Sequence, residues 1–453
     1  MSNNITNYIL PSGQESAYQD ISKKLEANYN CILLGEVGFG KSVVSLHTAY
    51  RLGFKRVIYI TQAGLVKDAP THDKLDVKVI SYSKFRCGSK SLSKKTKRLA
   101  SEKAQELVGN NVNHPLDTIF IFDEADAIKG GLNSQQGIVY LAMRYIYSKY
   151  PFLLMSGTLI TTSHTDSIPF LMTFEKVDTS KTTFEGFLEI YKQLRAKYVV
   201  DIPIPKISRF ATIPQDINKE QLLLEWDRLS LRYNKVRDGG DIKLSFNYVE
   251  CETNPNTLSY ISRLKSGKIL NTTHGKSTYS VNSSTYASDG VFITGKDVMF
   301  NFDNDKLHKM EKLVTGKTIV LTAFIESLNL IQEFLNKKHR QLKVFVFNGD
   351  TSVIEEFKQC KTRSILLSTL PALSTGYNID EADTIIYYSV TYNTKDLIQS
   401  LGRIDRKTTT RDKTYHFLYN KLDKKRLFKV LQNVQSYHSE FGFKIDLPNI
   451  KEK

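Results

Sequence analysis

Asn30-Cys-Ile-Leu-Leu-Gly35-Glu36-Val37-Gly38-Phe39-Gly40-Lys41-Ser42-Val-Val44 is the stretch that decides the fold. Cys31 to Leu34 is an unbroken apolar run, which reads as a buried strand. It leads into Gly35-x-x-x-x-Gly40-Lys41-Ser42, after which Val43, Val44, Leu46 and Ala49 recur at helical spacing. A strand, a glycine-rich turn and a helix in this order form a phosphate-binding loop: the glycines let backbone N–H groups converge on phosphate oxygens, and the helix N-terminus adds its dipole. Residues Gly35 through Ser42 are therefore the candidate nucleotide cradle. Lys41 is placed to reach the terminal phosphates, and the Ser42 hydroxyl to complete a Mg²⁺ shell.

Downstream, Thr118-Ile-Phe-Ile-Phe122 is another fully apolar run, ending in Asp123-Glu124-Ala125-Asp126. Acids at the carboxyl end of a buried strand emerge where open α/β sheets place their ligands. Asp123 is expected to hold Mg²⁺, and Glu124 to polarise an attacking water. Phe152-Leu-Leu-Met155 gives a further strand, running into Ser156-Gly157-Thr158. Near the amino end, Gln19 beside Tyr18 is a candidate adenine reader, an amide for the base edge and a ring to stack on it.

At 453 residues the chain exceeds what one core organises, and two or three domains are expected. Lysine and arginine number 63 against 47 acids, a net charge of +16 that points to a polyanionic partner. Cys31, Cys87, Cys251 and Cys360 lack the paired spacing of a zinc or iron–sulfur site and read as reduced intracellular thiols. No run approaches the roughly 20 apolar residues of a membrane span. A soluble, intracellular protein without membrane contact is expected. Abundant Asn, Lys, Tyr and Ile hint at an AT-rich genome, such as that of a phage or mobile element.

Val57 to Thr61 and Val77 to Tyr82 read as further parallel strands. Lys84 to Lys103, which includes Lys94, Lys95, Lys97 and Arg98, is a basic run that reads either as a solvated face or as a phosphate contact. Phe184–Lys197 and Lys219–Val236 read as helices, the second with Leu222, Leu223, Trp226, Leu229 and Tyr233 on one face. Residues 238–295, rich in Ser, Thr, Asn, Gly and Tyr, read as a β-rich insertion or a mobile loop. Order returns with a helix at Lys306–Leu313 and a second strand series at Thr318–Thr322, Val344–Asn348, Ser364–Thr369, Thr384–Tyr388 and Tyr415–Tyr419. Gln399, Arg403 and Arg406 lie within this series, the two arginines about one helical turn apart and able to meet one anion.

Taken in order, these elements resemble a superfamily 2 helicase or translocase, most closely its Swi/Snf-like and phage fork-remodelling members. Tyr18-Gln19 resembles the adenine motif, Gly35 to Ser42 motif I, Asp123 to Asp126 motif II, and Leu154 to Leu159 motif III. Thr61 to Val66, with Ile80-Ser81-Tyr82-Ser83, looks like the first nucleic-acid contacts. Thr322-Ala-Phe324 looks like motif IV, Ser368-Thr369 to Asn378 like motif V, and Gln399 to Arg406 like motif VI.

The resemblance implies an α/β fold of two RecA-like parallel-sheet domains with a cleft between them. The expected division is an ATP-binding domain at 1–178, a helical connection and polar insertion at 179–300, and a helicase C-terminal domain at 301–453. The implied activity is ATP hydrolysis with Mg²⁺, coupled to movement along, or remodelling of, duplex, forked or branched DNA. Lys41, Asp123, Glu124, Gln399, Arg403 and Arg406 would be catalytic, and Thr61, Ser81, Tyr82, Thr322, Ser368 and Thr369 would contact the nucleic acid. The alternatives are a nucleic-acid-stimulated ATPase switch without unwinding, or an RNA helicase. RNA is the less favoured substrate, since motifs V and VI read closer to DNA translocases. A monomer is expected.

Overall fold

The computed structural model describes residues 4–28, 30–67, 69–85, 115–128, 150–157, 168–172, 184–203, 212–235, 242–266, 281–294, 297–339, 341–373, 377–405 and 409–440. The chain divides into two compact units, which part between residues 236 and 237. Each is built on a parallel sheet, as expected of two RecA-like units.

The first sheet contains β1 (Asn30–Gly35), β2 (Arg56–Thr61), β3 (Asp76–Ser81), β4 (Thr118–Phe122) and β5 (Phe152–Ser156). After these comes a small antiparallel pair, β6 (Val199–Pro203) with β7 (Thr212–Asp216), and then β8 (Ser230–Tyr233) joins the main sheet. The order is β3-β2-β4-β5-β1-β8, with every pairing parallel. A parallel sheet is covered on both faces, so its central strands are apolar throughout rather than alternating. Accordingly, every residue of β1, β4 and β5 is buried. Helix α1 (Ser12–Asn28) contributes Ala17, Ile21 and Leu25 to this core, and α2 (Lys41–Arg51) contributes Val44, Leu46 and Ala49.

The second sheet contains β9 (Leu244–Glu250), β12 (Lys317–Thr322), β13 (Lys343–Phe347), β14 (Ser364–Thr369), β15 (Thr384–Tyr387) and β16 (Lys413–Tyr419). Its order is β13-β14-β12-β15-β16-β9, again parallel throughout. Between β9 and β12 lie helices Pro255–Lys265 and Val281–Asp289 and the antiparallel hairpin of β10 (Val291–Thr294) and β11 (Asp297–Phe300).

The segment 179–300, expected as a connection and insertion, is therefore shared between the units. Its earlier part supplies β8 to one sheet and its later part β9 to the other. The helix expected over Lys219–Val236 stops at Leu229. Ser230 Oγ turns back onto the Trp226 carbonyl at 2.7 Å, and the next residues pair with the open edge of β1, where a strand gains a full hydrogen-bond ladder. Leu222, Trp226 and Leu229 are buried, while Tyr233 lies on the strand. Within 238–295, Asn254 caps the helix that begins at Pro255 by accepting from Asn256 N at 2.8 Å.

The second unit is tied together by a buried ionic hub. Lys306 Nζ, with 0% side-chain exposure, lies 3.2 Å from Asp289 and 2.5 Å from Asp423. Asp289 also accepts from Ser327 and Ser389, at 2.6 and 2.7 Å, and Ser389 accepts in turn from Ala323 N. Burial opposes the Lys306 charge, but the two carboxylates outweigh it and hold its pKa above the ordinary value. Removing the cation leaves two buried acids without their partner. Lys306→Met should therefore cost about 3–5 kcal/mol in chemical denaturation of the second unit. A loss below about 1 kcal/mol, the range of an exposed pair, would show that the hub does not hold the unit together.

Candidate nucleotide-binding site

The turn between β1 and α2 takes the form required of a phosphate cradle. Gly40 sits at the N-cap of α2 with φ 93°, a left-handed conformation, and a Cβ there would lie 2.4 Å from Gln14 Nε2. At Gly35 a Cβ would meet the Lys41 side chain at 2.8 Å, because Lys41 folds back over the loop and its Nζ donates to the Gly35 carbonyl at 2.9 Å. Val43 N and Val44 N close on the Gly40 carbonyl at 3.0 and 3.1 Å, and the helix so begun turns the positive end of its dipole toward the loop, which suits an anion. The loop is braced from two sides. From α1, the buried Gln14 donates to the Phe39 carbonyl at 2.7 Å. From the end of β8, Tyr233 stacks on Phe39 at 5.4 Å, its carbonyl accepts from Glu36 N at 3.0 Å, and Lys235 N donates to Glu36 Oε2 at 2.8 Å.

Strand order brings the carboxylates to this loop. The carboxyl end of β5 lies between those of β1 and β4, and Gly157 is so close to the loop that a Cβ would stand 3.3 Å from Val37. Asp123 Oδ2 lies 3.5 Å from the Ser42 hydroxyl and accepts from Tyr59 Oη at 2.8 Å. Its Oδ1 accepts from Glu124 N at 3.1 Å, and its carbonyl from the Tyr82 hydroxyl at 2.9 Å. Burial, then the neighbouring charge of Glu124, pushes the Asp123 carboxyl up to about 6. Glu124 has φ 52° and, among the described residues, is the one non-glycine with positive φ, a conformation costing about 1–2 kcal/mol. Behind the pair, Ser156 Oγ donates to the buried Asp126 at 3.3 Å. A hydroxyl beside a carboxylate short of positive charge is a hard-oxygen set that fits Mg²⁺. Among the described residues no cluster of three metal-ligating side chains exists, so nucleotide and water would supply the other ligands.

The remaining sequence candidates fall in different places. Gln19 is exposed on α1, and the glutamine that reaches the loop is Gln14, one turn and a little more earlier. Tyr18 packs under Arg51, whose guanidinium lies 4.6 Å from its ring centroid. Tyr82 spends its hydroxyl holding Asp123, and Ser81 Oγ accepts from Lys84 N at 3.1 Å. Thr61 and Thr322 are buried at the carboxyl ends of β2 and β12. Thr322 and Ser368 donate to the carbonyls of Phe324 and Thr369, at 2.9 and 3.1 Å, and Thr369 is half-buried at the end of β14. In the second unit Gln399 is buried in the helix Thr394–Leu401. Arg403 comes just after that helix, 3% exposed, and its Nη1 donates to the Tyr377 carbonyl at 3.4 Å. Lys94, Lys95, Lys97, Arg98 and Arg406 lie outside the described residues.

Sequence reading missed Gln14, Tyr59 and the Tyr233–Lys235 brace. For Tyr59 the available signal was one phenol in an otherwise aliphatic strand, and for Gln14 a glutamine in the first turn of a helix begun by Pro11-Ser12.

The folded pKa of Asp123, about 6, exceeds the ordinary 3.8, so between those values the folded state binds a proton that the unfolded state does not. The resulting stability is fully present at the acid end and is lost as pH rises through about 6. Asp123→Asn removes that loss. In nucleotide-free thermal melts the variant should gain on the parent between pH 4 and pH 7, whereas a difference independent of pH would contradict the assigned environment.

Residues 304–408 match the helicase conserved C-terminal domain. A probable ATP-dependent helicase of Plasmodium falciparum is 27% identical over 134 residues, which is 27% of this chain and 6% of that protein. An uncharacterized ATP-dependent helicase of Mycoplasma pneumoniae is 29% identical over 96 residues, 20% of this chain and 9% of that protein. The chain thus matches less than a tenth of the length of either curated relative. The Sulfolobus solfataricus SWI2/SNF2 ATPase core in complex with dsDNA aligns over 98% of this chain and 99% of that chain at 14% identity, with a TM-score of 0.36, too low to argue from. The domain match, the helicase relatives and the two parallel sheets together support a superfamily 2 helicase core with a helicase conserved C-terminal domain at residues 304–408.

Proposed function

We propose that the chain hydrolyses ATP in response to nucleic acid, and that it uses the cycle to move along or remodel duplex, forked or branched DNA. The observation that carries the reading is the meeting of Lys41 and Ser42 with Asp123 and Glu124 at the carboxyl ends of β1 and β4, beside one helix N-terminus. In this reading the loop N–H groups and Lys41 hold the phosphates, and Lys41 exchanges its bond to the Gly35 carbonyl for a terminal phosphate oxygen. Ser42 and Asp123 would hold Mg²⁺, which when bound neutralises charge on the phosphate oxygens. Glu124 takes the proton of the attacking water as the new phosphorus–oxygen bond forms and the bond to the ADP oxygen breaks. Gln14 fixes the loop beside the nucleotide. DNA is preferred to RNA because Ser368-Thr369-(x)₆-Gly376-Tyr377-Asn378 and Gln399-x-x-Gly402-Arg403 read closer to DNA translocases.

Lys41→Ala should lower turnover by well over tenfold, which is more than about 1.4 kcal/mol of barrier, and weaken nucleotide binding. Glu124→Gln should retain nucleotide but not cleave it, so the two variants separate in a binding assay. Turnover in Lys41→Ala within tenfold of the parent would remove the assigned role.

Arg403→Ala should reduce nucleic-acid-stimulated turnover by about 10³-fold, the usual contribution of an arginine on a transferring phosphoryl group, with little change in ATP affinity. Full activity in this variant would leave the second unit without a part in hydrolysis. Strand displacement on forked DNA, blunt duplex and RNA, with and without ATP, tests the substrate. Stimulated turnover without displacement would indicate an ATP-driven switch or translocase, and displacement of RNA alone would refute the DNA reading.

A further inference from the structure

We propose that the strand-start edge of the second sheet is a separate track for a nucleic-acid phosphate backbone. This rests on the reading of nucleic acid as the substrate but names a surface that reading does not use. Along the order β13-β14-β12-β15-β16, the residues at or just before each strand start are Lys343, Arg363, Lys317, Asp383 and then Arg411 with Lys413. Lys343 and Lys317 are both Cα partners of Ser364, so they flank Arg363 about 10 Å apart. The whole row spans about 19 Å at ordinary strand spacing. Two hollows of about 510 and 760 Å³ run together along it, sharing Thr362 and Arg363, and Lys361 lines the larger.

The charges are not internally balanced. Arg411 pairs with Asp383 at 2.9 Å and Lys358 with Glu355 at 3.0 Å. Among the described residues Lys317, Lys343, Lys361 and Arg363 have no carboxylate partner. Lys317 and Arg363 donate only to main-chain carbonyls, those of Lys358 and Val314. Lys343, Lys361 and Arg363 are exposed. A single phosphate needs one convergent site. Four cations without a carboxylate partner along a rigid, extended edge instead suit a repeating anion, and the chain's surplus of +16 favours the same partner. Thr322 and Thr369 sit at the opposite ends of these strands, about 17 Å away, so the track is distinct from the contacts expected there.

The full-length double variant Lys343→Gln, Lys361→Gln removes two exposed cations that anchor nothing in the fold. Duplex DNA binding, followed by anisotropy at several salt concentrations, should show the slope of log affinity against log salt reduced by about 2. Turnover without nucleic acid should be unchanged. An unchanged slope overturns the proposal.

Cys360 provides a second readout. It lies in the larger hollow with 8% exposure, its Sγ 3.4 Å from Thr362 Oγ1, and that hydrogen bond holds the thiol below its ordinary pKa. Cys31 and Cys251 are buried as well, but burial pushes their thiols up, to about 12 and about 11, so Cys360 is the more reactive of the three. In a Cys87→Ser protein, duplex DNA should slow Cys360 modification by a disulfide reagent at least threefold. Equal rates with and without DNA, or protection by poly-glutamate but not by DNA, overturn the proposal. A parent that binds no nucleic acid would sink the proposed function as well, whereas binding with an unchanged slope sinks only this track.

Discussion

In-register parallel pairing of β4, β5, β1 and β8 is the constraint on which the first unit depends. Because all four strands run the same way, their carboxyl ends arrive at one edge, and the chain must leave each of them by a turn or loop. The phosphate loop leaves β1, the carboxylate pair leaves β4, and Ser156-Gly157 leaves β5 between them. Reversing any one strand would send its terminal residues to the far edge. The 3.5 Å approach of Ser42 to Asp123 is a consequence of the sheet rather than of local sequence, since the two residues are 81 positions apart.

At that edge the first unit is less stable than it could be. A carboxylate whose burial and neighbour raise its pKa, next to a glutamate held at φ 52°, represents two unfavourable contributions in adjacent positions. Tyr59, Tyr82 and the Glu124 amide hold Asp123 in place against them. Such costs persist where the surrounding structure over-determines them, and they gather at functional sites. A cation at Ser42 and Asp123 would relieve the first.

Much of this was legible in the sequence, for a physical reason. Strands buried on both faces are continuous apolar runs, so Thr118–Phe122, Phe152–Met155 and Ser364–Thr369 announce themselves, and the glycine pattern at 35–40 specifies the turn that leaves β1. Tertiary partners were harder to read. Tyr59 is significant only once the pairing of β2 with β4 places it beside Asp123, and Gln14 only once α1 packs on the loop. The stripe ending at Tyr233 matched a helix because periodicity cannot register the vacant edge of β1. For β9, the aromatics at Phe246 and Tyr248 carried a strand signal that the polar residues around them masked. They stack on Tyr415 and Phe417 at 4.9 and 5.6 Å.

That last pairing sets a problem of timing. Strand β9 lies at the edge of its sheet, and its partner is β16, with Leu244 opposite Lys413. During synthesis from the amino end, β9 emerges while its neighbour is still 413 − 244 = 169 residues from being made. At about 5–20 residues per second the wait is roughly 10 to 30 s, far longer than the microseconds a hairpin needs. Throughout that interval an aromatic strand has no mate in its own chain, and another nascent chain can offer one. The charges that bracket it, Lys243 and Glu250, discourage such a pairing while the strand waits.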